Sequence, residues 1–386
     1  MSGYMRHIAV VTETWPPEVN GVALTTKRMV DGLAANHLLE VVRVRQGKDD
    51  QHDGKDAYST LLLPGIGLPR YHGLHVGLPV TRRLVAHWEK RRPDLVHVVT
   101  EGPLGWSAVR AATRLGIPLT SDFHTNFHRY SSHYGASLFK NPVLHYLRGL
   151  HNRTRATLVP TAELQQELNE QGFNDLKVVA RGIDTQLFNP LRRNPELRRS
   201  WGVEDDGTPV LLMVSRVAPE KNFPLAIRAF DAVRARYPQA RMVIVGDGPQ
   251  RQELQKAHPE VHFAGMQHDM ALAEHYASAD IFVFSSLSET FGNVTIEAMA
   301  SGLAVVAFRY AAAREYIRHG VNGLLAQPDD EGGFISAVEH LAGEQAIRRE
   351  LGQQACLTAM ELGWERICDD FERTLMEVLE DGHADH

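Results

Sequence analysis

The chain has 386 residues, 43% hydrophobic and 23% charged, which excludes a disordered or fibrous polymer and leaves room for two sizeable cores. Its apolar runs, such as Val210–Val214, fall far short of the about 20 residues a membrane span needs. The formal net charge of −6 hides an asymmetry: residues 1–182 carry 22 Lys and Arg against 16 Asp and Glu, the remainder 19 against 31, as expected for two bodies with different surfaces.

The opening MSGYMRHIAVV lacks the long apolar segment and cleavage site of a signal peptide, and Ile8–Val11 reads better as a strand. From there short apolar runs alternate with amphipathic segments. HIAVVTE (7–13), LEVVRV (39–44), STLLLP (59–64), LVHVVT (95–100), IPLTSDF (117–123) and ATLVPT (156–161) read as strands; TTKRMVDGLAAN (25–36) and PLGWSAVRAATRLG (103–116) read as helices. A second series follows: strands PVLLMVSR (209–216), ARMVIVGDG (240–248), VHFAG (261–265), DIFVFSS (280–286), LAVVAF (303–308) and GLLAQ (323–327), with helices FPLAIRAFDAVRARYP (223–238) and NVTIEAMASG (293–302). Strands alternating with helices imply parallel sheets covered on both faces, so the expected fold class is α/β, two Rossmann-like doubly wound domains facing across a cleft. The expected division is 1–182, 183–362, and a last helix within 363–386 that packs back toward the first domain, with the seam in the polar stretch 180–209. Cys356 and Cys368 are the only cysteines and read as free thiols of a reducing compartment.

Ligands of such sheets bind at the carboxyl ends of strands. Arg216 directly follows one strand and Lys221 lies five residues on, before a helix: a fork and a point charge suited to an anion. Gly246 and Gly248 follow the next strand but lack the third glycine of a dinucleotide fingerprint, so they indicate close backbone approach more than NAD binding. After DIFVFSS comes SETFGNVTIEAMASG, Ser288–Gly302. There Phe291 and Gly292 lead into a helix whose first amides, at Asn293 and Val294, can donate to a phosphate. Glu297 stands one turn into that helix and Glu289 before the turn, each able to accept from a diol; either glutamate alone reads equally well as a surface residue. Phosphate donors flanked by two diol readers describe a nucleotide sugar. The chain has no Asp-x-Asp, so no metal-bridged diphosphate and no cofactor is expected. In the first half, Asn20 and Gly21 stand before a helix after the first strand, and His124 lies closest to the end of another; His128 and His133 carry no such signal.

Seven stretches, TETWPPEVNGV, DFHTNF, RGIDTQLFNP, SRVAPEKN, VGDGP, YASADIFVFSSLSETFGNVTIEAMASGLAVVA and EYIRHGVNGLL, resemble those of family-4 retaining glycosyltransferases with the GT-B fold, in family order over nearly the whole chain. The resemblance is to bacterial enzymes that use GDP-mannose or UDP-hexoses on lipid acceptors. It implies that Glu289 binds donor hexose hydroxyls and Glu297 the ribose diol. Arg216 and Lys221, with the amides near Asn293 and Val294, would hold the diphosphate. His124 would lie beside the transferred sugar, and the Asn20–Gly21 loop near the diphosphate and acceptor. One departure is YAAARE (310–315), where the family often has two glycines.

No carboxylate is placed as a nucleophile, so the resemblance implies front-face displacement, the leaving diphosphate helping to deprotonate the acceptor. The expected activity is transfer of a hexose, GDP-mannose being the favoured donor, to a lipid hydroxyl; the alternative is a UDP-glucose, UDP-galactose or UDP-glucuronate-dependent diacylglycerol enzyme. A nucleotide-sugar epimerase and an NAD-dependent oxidoreductase are the readings from other classes. Basic clusters at 81–94 and 146–157, interleaved with Trp88 and Leu147, suggest a face resting on an anionic membrane, hence a cytoplasmic protein peripheral on the inner face of the plasma membrane; no nucleic acid partner is expected.

Overall fold

The computed structural model describes residues 5–18, 21–46, 50, 56–67, 75–124, 137–287, 289 and 291–381, with backbone alone at 137–141 and 381. Two compact units result, one of Met1–Gly182 with Trp364–His386, the other of Ile183–Gly363.

The first unit holds β1 (His7–Thr12), α1 (Gly21–Leu33), β2 (Leu38–Val44), β3 (Ser59–Leu63), β4 (Gly65–Gly67), β5 (His75–Gly77), α2 (Thr81–Lys90), β6 (Leu95–Val98), α3 (Pro103–Leu115), β7 (Leu119–Asp122), α4 (Ser137–His151), β8 (Ala156–Val159), α5 (Ala162–Glu170) and β9 (Leu176–Val178). Seven strands pair in the order β3-β2-β1-β6-β7-β8-β9, all parallel. Strands β1, β2 and β6 are buried almost end to end, as largely apolar strands are when helices cover both faces; Glu40, Arg43 and His97 within them are buried too. Sequence reasoning misses β9 and the antiparallel β4–β5 pair because both are three residues long.

The second unit holds α6 (Pro195–Ser200), β10 (Val210–Val214), α7 (Phe223–Arg236), β11 (Arg241–Val245), α8 (Arg251–Ala257), β12 (His262–Gly265), α9 (Asp269–Ser278), β13 (Ile281–Phe284), α10 (Asn293–Ala300), β14 (Ala304–Phe308), α11 (Ala311–Tyr316), β15 (Leu324–Ala326), α12 (Glu331–Gly343) and α13 (Gln345–Met360). Its six parallel strands run β12-β11-β10-β13-β14-β15 over a core that includes Met213, Phe223, Phe230, Ile244, Val283 and Phe334. In both sheets the strand order reverses once, at β1/β6 and at β10/β13. Those reversals are where open parallel sheets leave a crevice at their carboxyl ends.

The boundary between the units falls between Gly182 and Ile183, inside the stretch 180–209, and that stretch is well packed: Phe188, Trp201 and Arg198 are buried, and Arg198 donates to Asp280 at 3.0 Å and to the Ser278 carbonyl at 2.7 Å. One expectation needs correction. Trp88 and Leu147 do not sit on an exposed basic face. Trp88 is fully buried in the first core, its indole N–H donating to Glu40 at 3.2 Å, and Leu147 is buried against Phe123. The last helix, α14 (Trp364–Asp381), packs back on the first unit, the direction expected of it: Phe371 meets the His97 ring edge-on at 5.0 Å, and Glu372 accepts from Asn36 at 2.9 Å and lies 3.1 Å from His37. Cys356 and Cys368 are free thiols.

Candidate active site

In the second unit, three loops at the carboxyl ends of β10, β13 and β14 are stitched together. After β10, Arg216 pairs with Glu220, its side chain half exposed. A short 3-10 turn, Pro219–Lys221, then presents Lys221 just before α7. After β13, Ser285 Oγ donates to the carbonyl of Asn222 at 2.8 Å, and the backbone N–H of Leu287 to that of Glu220 at 2.9 Å, fixing one loop on the other. The Lys221 ammonium pairs with the Glu289 carboxylate, which also accepts from Ser286 Oγ at 3.0 Å. After β14, the Tyr310 hydroxyl donates to the Ser286 carbonyl at 2.5 Å, and the N–H of Ala312 to the carbonyl of Phe291 at 2.8 Å. Two predicted residues from different loops, Lys221 and Glu289, are thus in direct contact.

Glu297 points the other way along α10. Tyr276, fully buried on α9, donates its hydroxyl to Glu297 Oε2 at 2.8 Å. Burial pushes the Glu297 carboxyl up to about 7, and the Tyr276 bond only partly offsets it. The residue as a whole keeps some surface, while its carboxyl is enclosed by protein. The two glutamates are held by different partners, which does not fit a matched hydrolase pair.

Gly292 opens α10 at φ +91°, a left-handed conformation that explains glycine there without crowding, since a Cβ would find its nearest neighbour 3.6 Å away. Gly246 and Gly248 answer to a different need. A Cβ on Gly246 would lie 1.9 Å from the Ser215 carbonyl oxygen, and one on Gly248 2.4 Å from that of Val217. What approaches these glycines is the Arg216 loop itself, so they set that loop against β11. At YAAARE the backbone takes the glycine-like path without glycine: Ala311 has φ +49°.

In the first unit, His124 follows β7 and stands among charged groups. Its backbone N–H donates to Glu101 Oε1 at 3.2 Å, its Nε2 lies 3.3 Å from Asp122 Oδ2, and its Nδ1 lies 3.0 Å from the Arg181 guanidinium. His97 reaches the same Asp122 oxygen at 3.4 Å. Burial works to raise Asp122, but the two histidines outweigh it and hold the carboxyl well below the usual range. Glu101 behaves likewise, with His151 Nε2 at 3.7 Å. Beside this group a cavity of about 20 Å³ is lined by Thr25 and Met29 of α1, Asp122, His124 and Arg181. After β1, the Glu13 carboxylate accepts from the first amide of α3, that of Leu104, at 2.7 Å; burial raises it.

Of the residues singled out, Gly21 is the first residue of α1, Phe291 is buried under α11, and Asn293 and Val294 form the first turn of α10. Asn20 lies outside the described residues, as do His128 and His133. Sequence reasoning missed Tyr276, Ser285, Ser286 and Tyr310 in one unit and Glu13, Glu101, Asp122 and Arg181 in the other. Tyr276, Ser285 and Ser286 lie inside the quoted run YASADIFVFSS, and Asp122 adjoins His124 in DFH, but their partners are set by tertiary contact.

Two family descriptions match the chain: "Glycosyltransferase Family 4" over residues 19–187 and "Glycosyl transferases group 1" over residues 208–344. A GDP-mannose-dependent alpha-mannosyltransferase of Mycobacterium tuberculosis is 34% identical over 94% of each chain. The alpha-monoglucosyldiacylglycerol synthase of Acholeplasma laidlawii is 24% identical over 97% of each. Among solved structures, that of Anabaena HepE in complex with UDP and glucose superposes with a TM-score of 0.75 at 20% identity, covering 96% of this chain and all of that one, a likeness of fold.

Proposed function

The chain belongs to the family 4 glycosyltransferases, hexosyltransferases of GT-B fold, and from that premise we propose that it moves mannose from GDP-mannose to a hydroxyl of a membrane lipid, with retention and without a metal. The observation that carries the reading is the contact of Lys221 with Glu289 at the β10/β13 reversal, next to the Gly292 turn and the first amides of α10. These are a cation and amide donors suited to a diphosphate, beside a carboxylate suited to sugar hydroxyls. The mycobacterial relative supports GDP-mannose as donor, and the Acholeplasma relative supports a lipid acceptor.

In this reading the donor enters by exchange of partners. Lys221 leaves Glu289 for the diphosphate, Arg216 leaves Glu220, and Glu289 is freed to accept from the hexose. Glu297 accepts from the ribose diol. The C–O bond to the diphosphate breaks, the acceptor oxygen forms the new bond on the same face, and the acceptor proton passes to the leaving phosphate. The protein supplies charge stabilisation and alignment.

Thermal shift against GDP-mannose, UDP-glucose, UDP-galactose and UDP-glucuronate, followed by transfer from radiolabelled donor to a membrane lipid extract, tests it. GDP-mannose is expected to raise the melting temperature and label the lipid fraction. Stabilisation and transfer with a UDP-hexose alone would replace this donor with that of the second reading, a diacylglycerol glycosyltransferase, which the Acholeplasma relative favours.

A further inference from the structure

The imidazole of His124 faces a buried charged group at each nitrogen. Nη2 of Arg181 lies 3.0 Å from Nδ1, and a guanidinium has only N–H groups to offer, so Nδ1 must meet it with a lone pair. In the neutral ring the proton then sits on Nε2, which faces Oδ2 of Asp122 at 3.3 Å, within reach of a hydrogen bond but misaligned for one. Among the described residues, His97 shares the same Asp122 oxygen, and the remaining neighbours fix the pair. His97 approaches Asp122 from β6 and is itself held by Thr120 Oγ1 at 2.9 Å. Glu101 accepts from the His124 backbone, and His151 is tied to Ser121 Oγ at 2.9 Å while its other nitrogen faces Glu101. Asp122, His97, His151 and Arg181 are all at least nine-tenths buried, so water does not readily substitute for these partners.

We propose that Arg181 and Asp122 are positioning residues that lock His124 as its Nε2–H tautomer, making the ring a neutral bridge between a guanidinium and a carboxylate and not a carrier of the acceptor's proton. The inference rests on the reading of His124 as a residue beside the transferred sugar. With Nδ1 occupied by Arg181 and Nε2–H turned to Asp122, His124 offers substrate its ring edge and backbone. The acceptor proton is then left to the leaving diphosphate, as front-face displacement requires. The lock also accounts for the arginine of RGID: Arg181 comes from the loop after β9, two strands away from β7, and closes over the end of β7.

The test is a long-range 1H–15N correlation spectrum of 15N-histidine-labelled protein at pH 7.5, with His124 assigned by its loss in His124→Asn. The wild type is expected to show an unprotonated Nδ1 and a protonated Nε2 at His124. Arg181→Met should shift that ring toward the Nδ1–H form and lower kcat at least about 10-fold, with the donor KM changed less than about 3-fold. Arg181→Lys, which keeps a donor, should restore the Nε2–H signature and part of kcat. An Nδ1–H ring or an imidazolium in the wild type overturns the lock, and that spectrum decides the matter even if Arg181→Met does not fold. An unchanged tautomer in folded Arg181→Met also overturns it. An Nε2–H spectrum in a protein that transfers no hexose would leave the lock standing and overturn the proposed function.

Discussion

At the scale of single residues, Glu297 shows how binding chemistry is set against stability. A carboxyl raised to about 7 in the folded chain, against 4.5 when unperturbed, binds more protons folded than unfolded between those values. Stability therefore falls as pH rises from about 4.5 through 7, and the cost is fully present above 7, at most about 3 kcal/mol. Glu297→Gln should raise the urea midpoint at pH 8 and leave it nearly unchanged at pH 4.5. The same substitution should weaken nucleoside diphosphate binding by about 10- to 100-fold at pH 8, because a hydrogen bond to a charged acceptor contributes roughly 1.5–3 kcal/mol. Wild-type affinity should drop by up to about 10-fold from pH 8 to pH 6 as the carboxylate is protonated, and the variant should lose that dependence. Calorimetric titration at the two pH values checks both; equal wild-type affinities would remove Glu297 from the diol role. Glu297 was legible because it stands one turn past a glycine that ends a loop. Tyr276, which orients it, was not, because a tyrosine in YASAD reads as one more apolar position until α9 is packed on α10.

At the scale of elements, the loops after β10, β13 and β14 behave as one assembly, since each shares a hydrogen bond or ion pair with another. Arg216→Ala combined with Lys221→Ala should lower kcat by at least about 100-fold, the loss typical of removing charge stabilisation from a leaving group. The fold should persist, because Glu289 keeps Ser286 and Ser285 still ties β13 to the turn before α7; activity within a few-fold of wild type in a folded double variant would end their assignment to the diphosphate. At the start of α11, Ala311 holds φ +49°, a conformation that costs a non-glycine residue about 1–2 kcal/mol. Ala311→Gly removes that strain but loosens the unfolded chain by about 0.4–1 kcal/mol. A net gain of about 0.5–1 kcal/mol in urea unfolding is expected, and destabilisation would show that Ala311's methyl contacts outweigh the strain. Most strands were legible because short, predominantly apolar runs bounded by turn residues and alternating with helical patterns fit a covered parallel sheet. The short helices α6, α8 and α11 were not, because six or seven residues give too few turns for an apolar stripe to declare itself.

At the scale of the whole molecule, the charge asymmetry bears on where the acceptor is met. With Trp88 and Leu147 buried, neither can anchor those two basic stretches in a membrane, and Arg148, Arg153 and Arg155 each donate to backbone carbonyls of the first unit. Arg153 and Arg155 stay exposed despite those bonds, and the face of α2 and its end add Arg82, Arg83, Lys90, Arg91 and Arg92. A surface held by such residues gains about 1 kcal/mol for each one near an anionic membrane and loses it to salt. Sedimentation with vesicles of anionic lipid should carry the protein down at low salt and release it as salt rises, and Arg82→Glu with Arg83→Glu should abolish the effect. Equal recovery in the supernatant with neutral and anionic vesicles at low salt would leave the acceptor to be met without a charged membrane.

The return of α14 to the first unit also sets an order in time. The second unit is one uninterrupted stretch, 183–363, while the first cannot cover His97 and the end of α1 until residues 364–381 exist. On a ribosome adding about 5–20 residues per second, the first unit waits roughly 10–40 s, incomplete, while the unit encoded after it is made and closes. Birth order and folding order are therefore reversed, and the half proposed to meet lipid is the half that spends its youth with an apolar groove open. A chain stopped at 363 should present a protease-resistant second unit and a protease-sensitive first one; resistance of both would mean that the last helix only decorates a body already formed.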